Sequence, residues 1–136
     1  MNDVEAEKPT PVPTATSAPF WRAASEGRLD MQFCPRCARY VHYPRPLCPG
    51  CLGRLDWRTL SGRGTVYSFT VVHRAPSREF ADVPYTLALV DLEEGPRLLA
   101  RVSDDPERVH FGADVVVQFE RRGEFAVPVV ALKVEA

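Results

Sequence analysis

Four sulfurs are the residues best equipped for chemistry in this chain. They come as two pairs, Cys34-Pro35-Arg36-Cys37 and Cys48-Pro49-Gly50-Cys51, with ten residues between them. A tetrahedral thiolate site needs four sulfurs about 2.3 Å from one ion, and a CxxC turn delivers two of them from a single knuckle. Two knuckles therefore close a shell. Pro35 and Pro49 occupy the same place in both pairs and pre-set φ where each turn begins. A redox CxxC would need one pair on a βαβ pattern, not two pairs flanking a loop. Disulfides are disfavoured as well. The acidic, polar start Met1-Asn2-Asp3-Val4-Glu5-Ala6-Glu7-Lys8 is unlike a secretory signal, so the expected compartment is the reducing cytoplasm. Cys34, Cys37, Cys48 and Cys51 are thus expected to hold a structural metal, zinc rather than iron, because nothing else in the chain suggests electron transfer. His42 lies between the knuckles, but four sulfurs already fill the shell, and a packing or surface role is expected for it.

Other candidates for reactivity are sparse. The chain has no GxSxG, HExxH or P-loop, and Gly62-Arg63-Gly64 lacks the third glycine and following helix of a dinucleotide fingerprint. His73 and His110 have no evident nucleophile to activate. Asp104, Asp105 and Glu107 suit a turn and cap better than an acid/base pair. The chemistry legible in the residues is that of a metal clip.

The elements around the clip follow from composition and period. With 136 residues, 45% hydrophobic and 26% charged, the chain is globular and has the size of one ordinary domain or two very small ones. A formal charge of −1 excludes a histone-like binder and an acidic tail protein, and no apolar run reaches the ~18 residues of a membrane span. The charge is uneven. Residues 31–64 carry six arginines (Arg36, Arg39, Arg45, Arg54, Arg58, Arg63) against Asp56 alone, whereas residues 65–136 carry twelve acidic and eight basic side chains. The arginines would attract a phosphate or acidic partner, or are solvated charge around a loop-rich module.

Residues 1–18, proline-rich after Lys8, are expected to form a disordered tail or linker. Residues 19–30 are expected to form a short helix stopped at Gly27, presenting Phe20 and Trp21 either to the chain's own ribbon or to another subunit. Residues 31–60 form the ribbon, with Tyr40, Val41, Tyr43 and Leu47 as its small apolar face. A module of that size cannot fold on its own burial, and metal binding worth about 10–16 kcal/mol supplies the deficit. Residues 61–136 change to period two. Strands are expected at Thr65–Val72 (Tyr67, Phe69 and Val71 on one face), Tyr85–Val90, Arg97–Val102, Val115–Glu120 and Ala126–Leu132, where Pro128 marks an edge or bulge. Five short strands without a substantial helix fit a small closed barrel of the oligonucleotide/oligosaccharide-binding (OB) type. The second strand is apolar on both faces, so something must cover its outside. The expected class is mainly β: short helix, rubredoxin-like ribbon, OB barrel.

Several motifs occur in order: Phe20-Trp21, Gly27-Arg28-Leu29, the two CPxC knuckles, Ser61-Gly62-Arg63-Gly64-Thr65-Val66-Tyr67-Ser68-Phe69, Glu94-Gly95-Pro96-Arg97-Leu98-Leu99 and Phe111-Gly112-Ala113-Asp114-Val115. In this order they resemble the zinc-ribbon/OB-fold acyl-CoA-associated family, over about residues 19–134. The resemblance implies an accessory subunit of a thiolase or thiolase-like (lipid-transfer-protein-type) aldolase, in a hetero-tetramer, sometimes joined to a hot-dog hydratase, in steroid side-chain or aromatic-acid degradation. It implies that the partner supplies the reacting groups while the complex holds a CoA thioester. Arg36, Arg39, Arg45 and Arg63 are then the candidates for CoA phosphates, and Phe20, Trp21 and the outer face of Tyr85–Val90 for docking. One departure is visible: many members carry glycine after each knuckle, where Ala38 and Leu52 stand here, which bears on knuckle geometry. The competing reading is a single-stranded nucleic-acid binder, which would need a basic, aromatic barrel groove; the acidic balance of residues 65–136 counts against it.

Overall fold

In the computed structural model, which describes residues 7–133, the chain builds one helix, a three-stranded ribbon and a five-stranded barrel. The outermost residues of the expected tail (1–6) and barrel (134–136) lie outside the described residues. Helix α1 spans Ala18–Ser25 and opens with Pro19, whose missing N–H costs nothing in a first turn. It closes in a Schellman motif: Arg28 N–H donates to the Ala23 carbonyl at 2.9 Å and Gly27 N–H to that of Ala24 at 3.0 Å, with Gly27 at φ +82°. Among the described residues no helix is long and apolar enough to cross a membrane.

The ribbon consists of β1 (Asp30–Cys34), β2 (Arg39–Val41) and β3 (Asp56–Thr59), antiparallel in the order β2-β1-β3. Its interior differs from the expected apolar face. Val41 is buried, but Tyr43 and Leu47 are exposed; β1 contributes Met31 instead, and Trp57 packs against the core from β3. The reason is register. The turn after Val41 leaves the sheet, so the residues that follow it no longer share the strand's inward face.

The barrel comprises β4 (Arg63–Val72), β5 (Tyr85–Leu92), β6 (Arg97–Val102), β7 (Asp114–Arg122) and β8 (Phe125–Leu132), closed in the order β4-β5-β6-β8-β7. That is the five-stranded OB order, and closure removes the sheet edges. A bulge in β4 corrects one expectation. Val66 pairs with Val90 and Ser68 with Leu89, so Tyr67 is an extra residue. The bulge shifts the inward phase: Val66 and Phe69 meet the core, while Tyr67 stands exposed under the Arg97 guanidinium, 3.6 Å from its ring centroid. Pro128 is explained by the β6–β8 junction, a parallel pairing of only Arg101↔Val129 and Val102↔Val130. Pro128 precedes that ladder, where β8 has no partner on the β6 side.

One core runs through both modules. Phe20 from α1, Leu29 and Met31 from the ribbon side, Leu60 from the junction and the inward residues of the barrel form a single buried cluster. Phe20 is only 5% exposed, so the helix docks on its own chain and does not present this ring at the surface. The proline-rich segment also lies against the barrel. Lys8 Nζ meets Asp82 at 3.3 Å and the Pro9 carbonyl accepts from Arg122 at 3.4 Å.

Candidate metal centre and apolar groove

Each knuckle is a tight turn whose closing amide returns to the chain: Ala38 N–H donates to the Cys34 carbonyl at 2.7 Å and Leu52 N–H to that of Cys48 at 2.8 Å. Closing the turn requires a left-handed residue after the second cysteine. Ala38 (φ 56°) and Leu52 (φ 61°) both adopt it. The absence of glycine therefore leaves the geometry intact, and these side chains carry the strain of a left-handed backbone, roughly 1–2 kcal/mol per residue.

The four Sγ atoms converge within 4.8 Å of one another. Cys34 Sγ lies 3.6 Å from Cys51 Sγ, and Cys48 Sγ lies 3.9 Å from Cys37 Sγ. A tetrahedral zinc–thiolate shell with bonds of about 2.3 Å places sulfurs about 3.8 Å apart, so the donor set fits that ion. Backbone amides turn toward the sulfurs: Cys37 N–H to Cys34, Gly50 N–H to Cys48 and Gly53 N–H to Cys51, each at 3.3 Å. The amides of Cys51 and Gly50 bring the Cys48 thiol down to about 6, whereas hydrogen bonding to the Cys51 and Cys34 sulfurs pushes Cys37 up to about 12. Cys34 and Cys48 are buried. The loop entering the second knuckle is anchored by the buried Gln32, whose amide donates to the Arg45 carbonyl at 2.8 Å and accepts from Arg45 N–H at 2.7 Å. With four ligands the shell is full, and the metal's role is to hold the ribbon together. His42 is no ligand. It packs 5.7 Å from the Phe20 ring, and burial lowers its imidazole to about 4, so it is neutral at physiological pH.

A second feature lies on the outer face of the barrel. A groove of about 640 Å³ runs across β5, β6 and β8, walled by α1 and the His42-Tyr43-Pro44 segment on one side and by Pro76 and Phe80 on the other. The register aligns Leu87, Arg101 and Val129 across its floor. This is the covering that the doubly apolar β5 required, though an incomplete one: Leu99 is 50% exposed. Trp21 and Tyr43 stand beside it, and Phe20 lines it from beneath. The face corresponds to the one on which OB folds take elongated ligands, between the first and last interstrand loops. Its floor carries Leu87, Leu99 and Val129, its aromatics stand along the walls, and its two guanidiniums, Arg101 and Arg122, are the cations that enter it.

Three of the four candidate arginines belong to the ribbon and the fourth to the barrel. Arg36 sits in the first knuckle, Arg39 begins β2 and lies over Gly50, and Arg45 precedes the second knuckle; all three are exposed and lack a carboxylate partner among the described residues. Arg63 is at the end of the barrel, bound to Glu93 at 2.8 Å. The guanidiniums at the groove are Arg101 and Arg122. Period-two alternation places Arg101 on the outer face with Leu87 and Leu89, but its neighbourhood with Arg122 arises only from barrel closure. His73 and His110 are exposed strand-end and loop residues. Asp105 caps a turn through Glu107 N–H at 3.0 Å, and Asp104 accepts from Leu132 N–H at 2.8 Å.

Comparison with known proteins agrees with this geometry. The family model of the ChsH2 rubredoxin-like zinc ribbon domain matches residues 21–58, and that of the ChsH2 C-terminal OB-fold domain matches residues 57–120. Over 129 residues the chain is 38% identical to a probable enoyl-CoA hydratase alpha subunit of Thermomonospora curvata, covering 92% of this chain and 40% of that protein. It is 35% identical over 92 residues to a DUF35 domain-containing scaffold protein of Methanothermobacter thermautotrophicus, covering 65% of this chain and 68% of the other. It is 54% identical over 62 residues to the 3-oxo-4,17-pregnadiene-20-carboxyl-CoA hydratase alpha subunit of Mycobacterium tuberculosis, covering 45% of this chain and 20% of that one. The chain thus spans well under half the length of both hydratase subunits. Among solved structures, a chain of the Ltp2-ChsH2(DUF35) aldolase superposes with a TM-score of 0.83 at 34% identity, over 92% of this chain and 100% of the other. Two knuckles whose four sulfurs converge, a barrel in OB order and agreement over the whole of that chain lead to one assignment: the protein belongs to the ChsH2/DUF35 family of zinc-ribbon, OB-fold proteins.

Proposed function

We propose that this chain is a non-catalytic accessory subunit that binds and supports a thiolase-like enzyme, a thiolase or retro-aldolase, acting on acyl-CoA thioesters. The observation that carries the reading is the full-length agreement with the ChsH2 (DUF35) chain of an aldolase assembly. The sulfur inventory supports it. Thiolase-type acyl transfer needs a free nucleophilic thiol, and the chain's four cysteines converge on one metal centre. The reacting groups then belong to the partner. Steroid-acid thioesters are the favoured substrates, because a relative of shared sequence is a pregnadiene-carboxyl-CoA hydratase subunit. In this reading Trp21 and Tyr43, at the rim of the groove, form the docking edge, with Phe20 as the buried support beneath Trp21. Arg36, Arg39 and Arg45 face the nucleotide phosphates of CoA, and Arg63 remains with Glu93.

Co-expression with a thiolase-like protein encoded in the same genome tests the proposal. The two are expected to co-elute as a zinc-containing complex, and carbon–carbon cleavage of an acyl-CoA is expected only when both are present. Trp21→Glu is expected to weaken association at least tenfold while leaving zinc content unchanged. Thioester cleavage by the purified chain alone, or salt-sensitive binding of an oligonucleotide in place of a protein partner, would overturn it.

A further inference from the structure

The groove is more than a docking edge. Its volume of about 640 Å³ lies inside the range of small-molecule sites, and its walls are almost wholly apolar. Polar groups concentrate at one end, where Arg101 and Arg122 enter. Arg101 is fixed from two sides: one guanidinium nitrogen binds Asp82 at 2.7 Å, and the planar group lies 4.3 Å over the Tyr85 ring. Its other terminal nitrogen, Nη1, is buried and has no acceptor among the described residues. A buried unpaired cationic donor is costly, and a ligand oxygen would relieve it. At that end Lys8 and Arg101 pair with Asp82 and Arg122 pairs with Glu120, while Asp104 and Asp105 line the adjoining polar cleft. Apolar walls that end at a guanidinium with one donor unpaired describe a complementary molecule.

We propose that this groove binds an apolar monocarboxylic acid, its hydrocarbon body lying over Leu87 and Leu99 and its carboxylate accepting from Arg101. The site goes beyond the assignment of a partner and belongs to this chain alone, so it is tested without one. Full-length, zinc-loaded protein is titrated with decanoate, followed by calorimetry and by Trp21 fluorescence. Saturable binding at one site is expected, at least tenfold tighter than that of decanol, because hydrogen bonds to a charged donor discriminate by that much or more. Arg101→Met is expected to remove the preference for decanoate over decanol. Leu99→Glu is expected to abolish binding of both; Leu99 is half exposed, so the variant should fold, and zinc content with circular dichroism verifies it. Phe111→Glu, at an apolar residue 70% exposed and outside the groove, is expected to bind as the parent does. Absence of saturable binding, equal affinity for decanoate and decanol, or equal sensitivity at Phe111 and Leu99 would overturn the proposal. None of these results bears on co-elution with a thiolase-like protein, so the two readings fail separately.

Discussion

Ala38 and Leu52 show how far a single position can depart from a pattern without altering its shape. Both hold a left-handed backbone that glycine would adopt freely, and both do so because the residue after each knuckle must return its amide to the carbonyl of the first cysteine. Leu52→Gly is therefore expected to stabilise the zinc-loaded protein by about 0.5–1 kcal/mol, the relieved strain less the added entropy of the unfolded glycine. Thermal unfolding checks it, and a lowered midpoint would contradict it. His42 makes the opposite kind of statement. Its folded pKa of about 4 lies below the ordinary 6.5, so between those values the unfolded chain binds a proton that the folded chain does not. Its contribution to stability is complete above pH 6.5 and is lost as pH falls toward 4. The His42 imidazole resonances are expected to titrate near pH 4 in the NMR spectrum; a midpoint near 6.5 would show that burial does not govern it.

Among the elements, β4 is the most informative, because it joins two neighbours and changes phase midway. Gly64 sits where β4 pairs with both β5 and β7. A Cβ there would fall 2.7 Å from the Asp91 carbonyl oxygen and 2.7 Å from a Val90 methyl. The first of these is backbone and cannot swing away. Gly64→Ala is expected to cost about 1–3 kcal/mol, the range of overpacked sites, and a change below half a kcal/mol in urea unfolding would contradict the close approach. Three residues along, the bulge at Tyr67 explains why strict alternation misassigns this strand: the period is right on either side of the extra residue and wrong across it. Period alone carries no sign of a bulge, since Tyr67 is an aromatic strand former like Phe69 and fits the alternation equally well.

At the scale of the whole molecule, one buried cluster joins the helix, ribbon and barrel, and four sulfurs stand ready to clip the ribbon. Phe20 joins Leu29, Met31 and the barrel interior in a continuous cluster, so ribbon and barrel are expected to unfold in a single transition when zinc is bound. Phe20→Ala should lower that transition as a whole by about 3–5 kcal/mol. Removal of zinc by a chelator is expected to release the ribbon and expose Met31 to solvent, measurable as loss of protection of the β1 amides. Two well-separated melting steps in the zinc-loaded protein would refute the shared core. Much of this architecture could be read before any coordinates. The paired CxxC spacing determined the ligand set, because four thiolates at that spacing have few other uses, and period two determined the five strands, because half-buried strands alternate. What no local pattern contains is closure. That Phe20 turns inward, that Pro128 lies beside a gap in the β6–β8 ladder, and that Arg101 and Arg122 share one end of an apolar groove all depend on which strands become neighbours. Such contacts between residues distant in the chain are decided only when the barrel shuts and the helix must cover what remains open.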